Sequence, residues 1–263
     1  MQYGLAGKVA LVTAASKGLG FATAMGLAKE GCDLVICSRE EASISSAAAQ
    51  IREATGRKVV ALQADVSRAE EIEKVLAAAK QEFGGVDILI SNTGGPPTGQ
   101  FMDFDDAAWQ KAFETLLMPA VRLTRGVIPF MRARGGGRII YITSGAVKQP
   151  IPALVLSNSL RAAVTGMAKT VSMQVAKEKI TVNCVAPGRI ETDRIKWLDN
   201  DAAARTGRTA DAAKQVWVDQ IPTGRYGTPA EFANAVLFLC SEGASFMTGS
   251  TLVVDGGQIN TLL

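Results

Sequence analysis

Histidine is missing from all 263 residues. That absence removes serine–histidine hydrolases, cysteine–histidine proteases and histidine metal sites from the chemistry open to this chain. Cysteine is scarce: Cys32, Cys37, Cys184 and Cys240 are scattered, with no CxxC pair and no metal-ligand spacing. They read as buried, reduced thiols of a cytoplasmic protein, with no metal site. No apolar run approaches the ~18–20 residues a membrane span requires. The opening MQYGLAGKVA lacks the basic n-region and long apolar stretch of a signal peptide. Strong charge of either sign is also lacking. A formal net charge of +3 is too mild to argue for nucleic acid or an anionic membrane surface as a partner. There is no like-charge block, low-complexity tract, linker or internal repeat.

Apolar residues, at 48%, are plentiful enough for a sizeable core. Short runs rich in β-branched residues recur: KVALVT (8–13), DLVIC (33–37), KVVAL (58–62), VDILIS (86–91), RIIYIT (138–143), ITVNCVA (180–186) and TLVVD (251–255). Strands this apolar are buried on both faces, the habit of a parallel sheet covered by helices. Between them lie helical patterns such as ASISSAAAQIREAT and RAEEIEKVLAAAKQEF. The alternation predicts one doubly wound α/β domain over 1–263, with about seven parallel strands and helices on both faces. Ligands of such sheets sit beyond the carboxyl ends of the strands, where strand order reverses.

After the first run comes TAASKGLGFATAMGLAKEG (13–31), a turn entering a helix. Gly18 and Gly20 carry no side chain, so a pyrophosphate can approach N–H groups at the helix start. A tight turn with close helix–strand packing is the plainer alternative. The second run ends Cys37-Ser38-Arg39. An acidic residue there suits a ribose 2′-OH, whereas arginine suits a 2′-phosphate. Ser38 and Arg39 with Lys17 form a candidate clamp, against the alternative of two solvated cations. NADP(H) is therefore expected over NAD(H).

The pattern from Thr13 to Gly20 resembles the TGxxxGxG motif of the short-chain dehydrogenase/reductase family, with Ala14 at the first glycine. A methyl group is tolerated there if φ stays negative and is costly otherwise, so a slightly reshaped loop that still binds is expected. The resemblance continues through Asp65-Val66, whose counterparts contact adenine; Asp65 is also a candidate helix cap. It continues through Ser91-Asn92-Thr93-Gly94, which is similar to the family's NNAG segment. It extends to the Pro187-Gly188-Arg189-Ile190-Glu191-Thr192 turn and to residues 221–257. The match spans Gly7 to Gly257 and implies a Rossmann fold. The cofactor-binding set it implies is Thr13, Ser16, Lys17, Gly18, Leu19, Gly20, Ser38, Arg39, Asp65, Val66, Asn92, Thr93, Gly94, Arg161, Pro187, Gly188 and Ile190.

The resemblance also implies a tyrosine proton donor, a lysine that lowers its pKa and holds the nicotinamide ribose, an orienting serine and a relaying asparagine. Only the serine is present, as Ser144. The tyrosine position, thirteen residues on, is Ser157; the lysine is Arg161 and the asparagine Leu116. Leucine relays no proton. An aliphatic hydroxyl is far less acidic than a phenol near ~10. Arginine keeps the charge but differs in shape and stays protonated. Losing a positioned general acid costs on the order of 10²–10⁴ in rate, roughly 3–5 kcal/mol at about 1.4 kcal/mol per decade. Ser144, Ser157 and Arg161 are the catalytic candidates.

Other groups compete less well. Tyr141 lies three residues before Ser144 in a strand, hence on the opposite face, and reads as core. Tyr226 packs or touches solvent. Glu191 and Asp193 are candidate substrate contacts or ordinary first-turn helix acids. Arg189 is a candidate electrophile or anion holder, or a surface residue. Pro119 predicts a kink in the helix 107–134 by clashing with the carbonyl of Thr115.

Within the family, the chain is most similar to 3-oxoacyl-acyl-carrier-protein reductase-like sequences of a divergent branch without the full catalytic set. The resemblance makes 191–228 a substrate lid, with Trp197 and Trp217 walling a pocket or packing lid on body. The loop 94–101, stiffened by Pro96 and Pro97, should border the same cleft. Helices 107–134 and 155–177, with Leu116, Leu117, Val121, Met167, Val171 and Val175, are expected to pair subunits into a homodimer or homotetramer, or else to face the core. Three functions stand. One is an NADP(H)-dependent oxidoreductase on a small carbonyl or alcohol, with water as an altered proton source held by Ser144, Ser157 and Asn158. The second is a non-catalytic NADP(H)-binding module, a sensor or assembly partner, and the third a scaffold that binds no nucleotide because Ala14 spoils the loop.

Overall fold

The computed structural model describes residues 3–261; residues 1–2 and 262–263 of the expected domain lie outside them. Every apolar run named above forms a strand, within two residues of its expected ends. They are β1 (Val9–Thr13), β2 (Asp33–Ser38), β3 (Val59–Gln63), β4 (Ile88–Ser91), β5 (Gly137–Ile142), β6 (Ile180–Pro187) and β7 (Thr251–Val254). All pair in parallel in one sheet, in the order β3-β2-β1-β4-β5-β6-β7. Strand order therefore reverses between β1 and β4.

The two-residue period of a strand sends alternate side chains into two separate cores. On β1, Ala10 and Val12 enter one and Leu11 the other; on β5, Ile140 and Ile142 enter one, Ile139 and Tyr141 the other. The first core is closed by α1 (Gly18–Lys29), α2 (Glu41–Thr55) and α9 (Pro229–Cys240). The second is closed by α3 (Ala69–Phe83), α5 (Met118–Ala133) and α6 (Val155–Val175). On α3 the buried Ile72, Val75 and Ala79 follow helical spacing, so one stripe faces the sheet. Each such fully buried aliphatic side chain stabilises by about 1.5–3 kcal/mol.

Local chemistry sets the helix ends. Gly56 and Gly84 stop α2 and α3 in the left-handed region, φ 66° and 72°. Thr228 and Glu231 form a capping box before Pro229 to start α9. The expected helix 107–134 is two helices, α4 (Asp106–Leu116) and α5, separated at Leu117. Pro119 supplies no N–H for the carbonyl of Thr115, and the chain restarts with proline in the first turn of α5. Between β6 and α9 lie α7 (Asp193–Thr206) and α8 (Ala210–Val218), the region expected as a lid.

Candidate cofactor and substrate cleft

A cleft of about 1170 Å³ opens beyond the carboxyl ends of the strands, at the point of order reversal. Its floor is tightly built. Thr13 is fully buried, and its hydroxyl donates to the carbonyl of Asn92 at 2.7 Å and accepts the Asn92 N–H at 2.9 Å. This two-way bond ties the end of β1 to the end of β4. Asn92 Nδ2 in turn donates to the Ala14 carbonyl at 3.3 Å. A Cβ on Gly20 would stand 2.3 Å from that carbonyl oxygen and 2.9 Å from Asn92 Nδ2. Thr13 and Gly20 therefore shape the cleft without lining it. Ser16, Lys17, Gly18 and Leu19 do line it.

Ala14 has φ 48°. The loop is not reshaped to spare the methyl group: the left-handed turn persists at a cost of about 1–2 kcal/mol. Helix α1 then begins after Lys17 with no side-chain cap, so its first N–H groups remain available to an anion.

At the end expected to take the adenosine, Ser38 and Arg39 at the close of β2 line the cleft beside Asp65 and Val66. The Ser38 hydroxyl donates to the Glu40 carbonyl at 3.3 Å, and Arg39 is exposed. The Glu40 carboxylate accepts from the Ser43 hydroxyl at 2.8 Å. Lys17 is not part of their cluster: its ammonium pairs with Asp193 of α7 at 3.2 Å. Asp65 does not cap α3, which starts after Arg68. Its carboxylate instead accepts the Ser67 N–H at 3.0 Å, an Asx turn, while Glu71 accepts the Asp65 N–H.

The opposite end gathers Asn92, Thr93, Gly94, Pro187, Gly188 and Ile190 around Ser144, Ser157 and Arg161. The Thr93 hydroxyl is buried without a protein partner, an orphan polar atom in the wall of the cleft. Gly188 is required by packing, since a Cβ there would lie 2.5 Å from Asp255 Cβ. Ser144 Oγ accepts the Ala146 N–H at 3.2 Å, leaving its own proton free. Arg161 donates to the carbonyls of Ile142 and Gly94, at 3.0 and 3.4 Å. Burial, aided by the charge of Arg194, pulls its guanidinium down to about 10, still far above neutrality. Leu116, expected at the place of a relaying asparagine, is buried, 3% exposed. Asn158 donates to the Ile151 carbonyl at 2.9 Å and does not line the cleft.

The segment carrying α7 and α8 is fastened by a largely buried set. Arg189 Nη1 donates to Asp199 at 2.9 Å, Tyr226 donates to the same carboxylate at 3.1 Å, and the Arg189 guanidinium lies 3.7 Å from the centroid of Trp217. Arg189 is thus neither a surface group nor a cleft residue. Trp217 packs lid on body, whereas Trp197 lines the cleft. Glu191 pairs with Lys214 at 3.5 Å. Tyr141 is core, bonded to Thr124, and burial pushes its phenol up. Burial likewise raises the thiols of Cys32 and Cys37 to about 12 and Cys184 to about 11, so none is a nucleophile.

Sequence reasoning missed Lys111, Glu114 and Arg194, which also line the cleft, while Gly95 lies in the loop expected to border it. Arg194, two residues beyond Thr192 in the first turn of α7, had a positional signal; the others are placed by packing distant in sequence. Among the described residues, no helix is long and apolar enough to cross a membrane, and no metal-binding cluster occurs.

Comparison with known proteins adds four likenesses. The family profile described as Enoyl-(Acyl carrier protein) reductase matches residues 13–258. Dehydrogenase/reductase SDR family member 4 of Bos taurus is 38% identical over 256 residues, covering 97% of this chain and 88% of its own. The 3-oxoacyl-acyl-carrier-protein reductase FabG of Vibrio cholerae is 38% identical over 254 residues, covering 97% and 98%. The crystal structure of L-sorbose reductase from Gluconobacter frateurii, complexed with NADPH and L-sorbose, matches all of both chains with a TM-score of 0.95 and 38% identity.

Proposed function

The chain belongs to the short-chain dehydrogenase/reductase family, and on that premise we propose that it is an NADP(H)-dependent oxidoreductase of a small carbonyl or alcohol with an altered proton source. The observation that carries this reading is the intact phosphate-binding floor: Gly20 closed against the Ala14 carbonyl, beneath an uncapped helix start. The residues fit the dinucleotide. The first turn of α1 suits its pyrophosphate, the orphan Thr93 hydroxyl offers it a partner, and Ser38 with Arg39 suits a 2′-phosphate.

When bound, NADPH would supply the hydride for a carbonyl carbon, leaving NADP⁺, with one proton going to the oxygen, and the reverse would oxidise an alcohol. Ser144 donates its free proton in a hydrogen bond to the carbonyl oxygen and orients it. Arg161, positioned by Ile142 and Gly94, holds ribose hydroxyls and stabilises negative charge developing on that oxygen. Ser157 is too weak an acid to protonate it directly, so we assign it the holding of a water. Leu116 closes the route along α4, and the proton enters from the mouth of the cleft.

A second reading, a non-catalytic NADP(H)-binding module, is favoured by one observation: no tyrosine, cysteine or histidine lines the cleft. Purified protein with NADPH and a broad carbonyl panel decides between them. Turnover that falls on the order of 10²-fold in Ser144→Ala supports the enzyme. Tight NADPH binding without turnover supports the module. We further propose that α4, α5 and α6 pair subunits into a homodimer or homotetramer, in keeping with the exposed Met173 on α6, and that the four free thiols suit the cytoplasm.

A further inference from the structure

Eight of the 15 arginines have a carboxylate within ion-pair distance among the described residues; Arg57, Arg122, Arg134, Arg189, Arg205 and Arg225 have one within 3.0 Å. Arg161 and Arg194 are among the seven without one. Both line the cleft, and among the described residues neither has a carboxylate within ion-pair distance. They bracket three consecutive residues of the loop after β4. Arg161 Nη2 donates to the Gly94 carbonyl at 3.4 Å, and Arg194 Nη2 to the Pro96 carbonyl at 2.7 Å. A Cβ on Gly95 would lie 2.7 Å from Arg194 Nε and Nη2, so the glycine makes the room the guanidinium occupies. Trp197 flanks Arg194, 4.5 Å from ring centroid to Cζ.

The carboxylates nearby are committed elsewhere. Asp201 pairs with Arg205 at 2.7 Å and accepts from Thr98 at 3.0 Å; Glu114 pairs with Arg122 at 2.9 Å; Asp193 pairs with Lys17. Lys111 adds a further cation to the lining. Burial lowers both guanidinium pKa values, against a smaller opposing pull of Asp201 on Arg194, and Arg161 is lowered further by the charge of Arg194. Two partly buried cations side by side call for an anion. The nicotinamide brings none, and its oxidised form adds a positive charge. The cofactor phosphates are accounted for at α1 and Arg39.

We propose that the second ligand of the cleft supplies the anion: a carbonyl compound bearing a carboxylate, gripped by Arg194 with Arg161 as the second positive charge. This inference rests on the reading of the cleft as an NADP(H)-dependent oxidoreductase site. A planar guanidinium fork suits a carboxylate. Trp197, Leu198 and Leu154 in the lining give the rest of the molecule an apolar surface.

The test is calorimetry on NADP⁺-saturated protein, where no reduction can occur, with levulinate, acetoacetate and benzoylformate, each against its amide. At least one acid should bind roughly 10–100-fold tighter than its amide. Arg194→Gln, which keeps a donor for Pro96, should erase that preference, and Arg194→Lys should recover part of it. The amides and NADP⁺ should change by less than about threefold, the error expected of contacts not involving the charge. Equal affinity for acid and amide, or no acid bound at all, overturns this inference alone. Failure of NADP⁺ to bind overturns the underlying reading with it.

Discussion

The two ends of the cleft are built differently. At the end proposed for the phosphates the wall is main chain: glycines, an uncapped helix start and the Ala14 carbonyl held by Asn92. There, Ala14 replaces a glycine and the backbone still takes φ 48°, because neighbouring bonds hold it. At the end proposed for the nicotinamide, function would rest on side-chain atoms. On the proposed reading, Ser157, Arg161 and Leu116 stand on the strand-and-helix framework where the family resemblance expects a phenol, an ammonium and an amide. Recognition built from backbone survives a substitution at a strain cost, whereas chemistry built from side chains changes outright.

This contrast can be broken or sharpened by mutation. The largest effect belongs to Gly20→Val. Its Cβ meets a backbone oxygen at 2.3 Å, which cannot yield cheaply, so calorimetry should show NADPH affinity falling by at least about 10². Next, Ser157→Tyr with Arg161→Lys restores a positioned acid, and turnover should rise on the order of 10²–10⁴. Unchanged rates in a folded double variant would mean that the reaction never uses a donor at that place. Arg39→Ala comes third. Titrations should show NADPH affinity reduced roughly 10–100-fold, as for loss of a charge-assisted phosphate contact, with NADH hardly affected. The smallest is Ala14→Gly. Urea unfolding should show a gain of about 1 kcal/mol from relief of the left-handed methyl, with cofactor affinity retained.

Much of the architecture could be read from the chain because it depends on local pattern. Seven β-branched runs give seven strands, and Pro119 marks the break at Leu117. The positions of Ser144, Ser157 and Arg161 in one cleft followed from spacing against a family motif. What stayed hidden depends on partners distant in sequence. Lys17 turns to Asp193 rather than Arg39, Arg189 is buried against Asp199, Tyr226 and Trp217, and Gly95 clears space for Arg194. Asp65 was misjudged for a local reason: its loop runs three residues further before α3 begins, so the carboxylate closes a turn.

The account stands most directly on a calorimetric titration of the purified chain with NADPH. It predicts saturable binding with one dinucleotide per chain, weakened in Arg39→Ala and abolished in Gly20→Val. A flat titration of folded protein at saturating NADPH would contradict it.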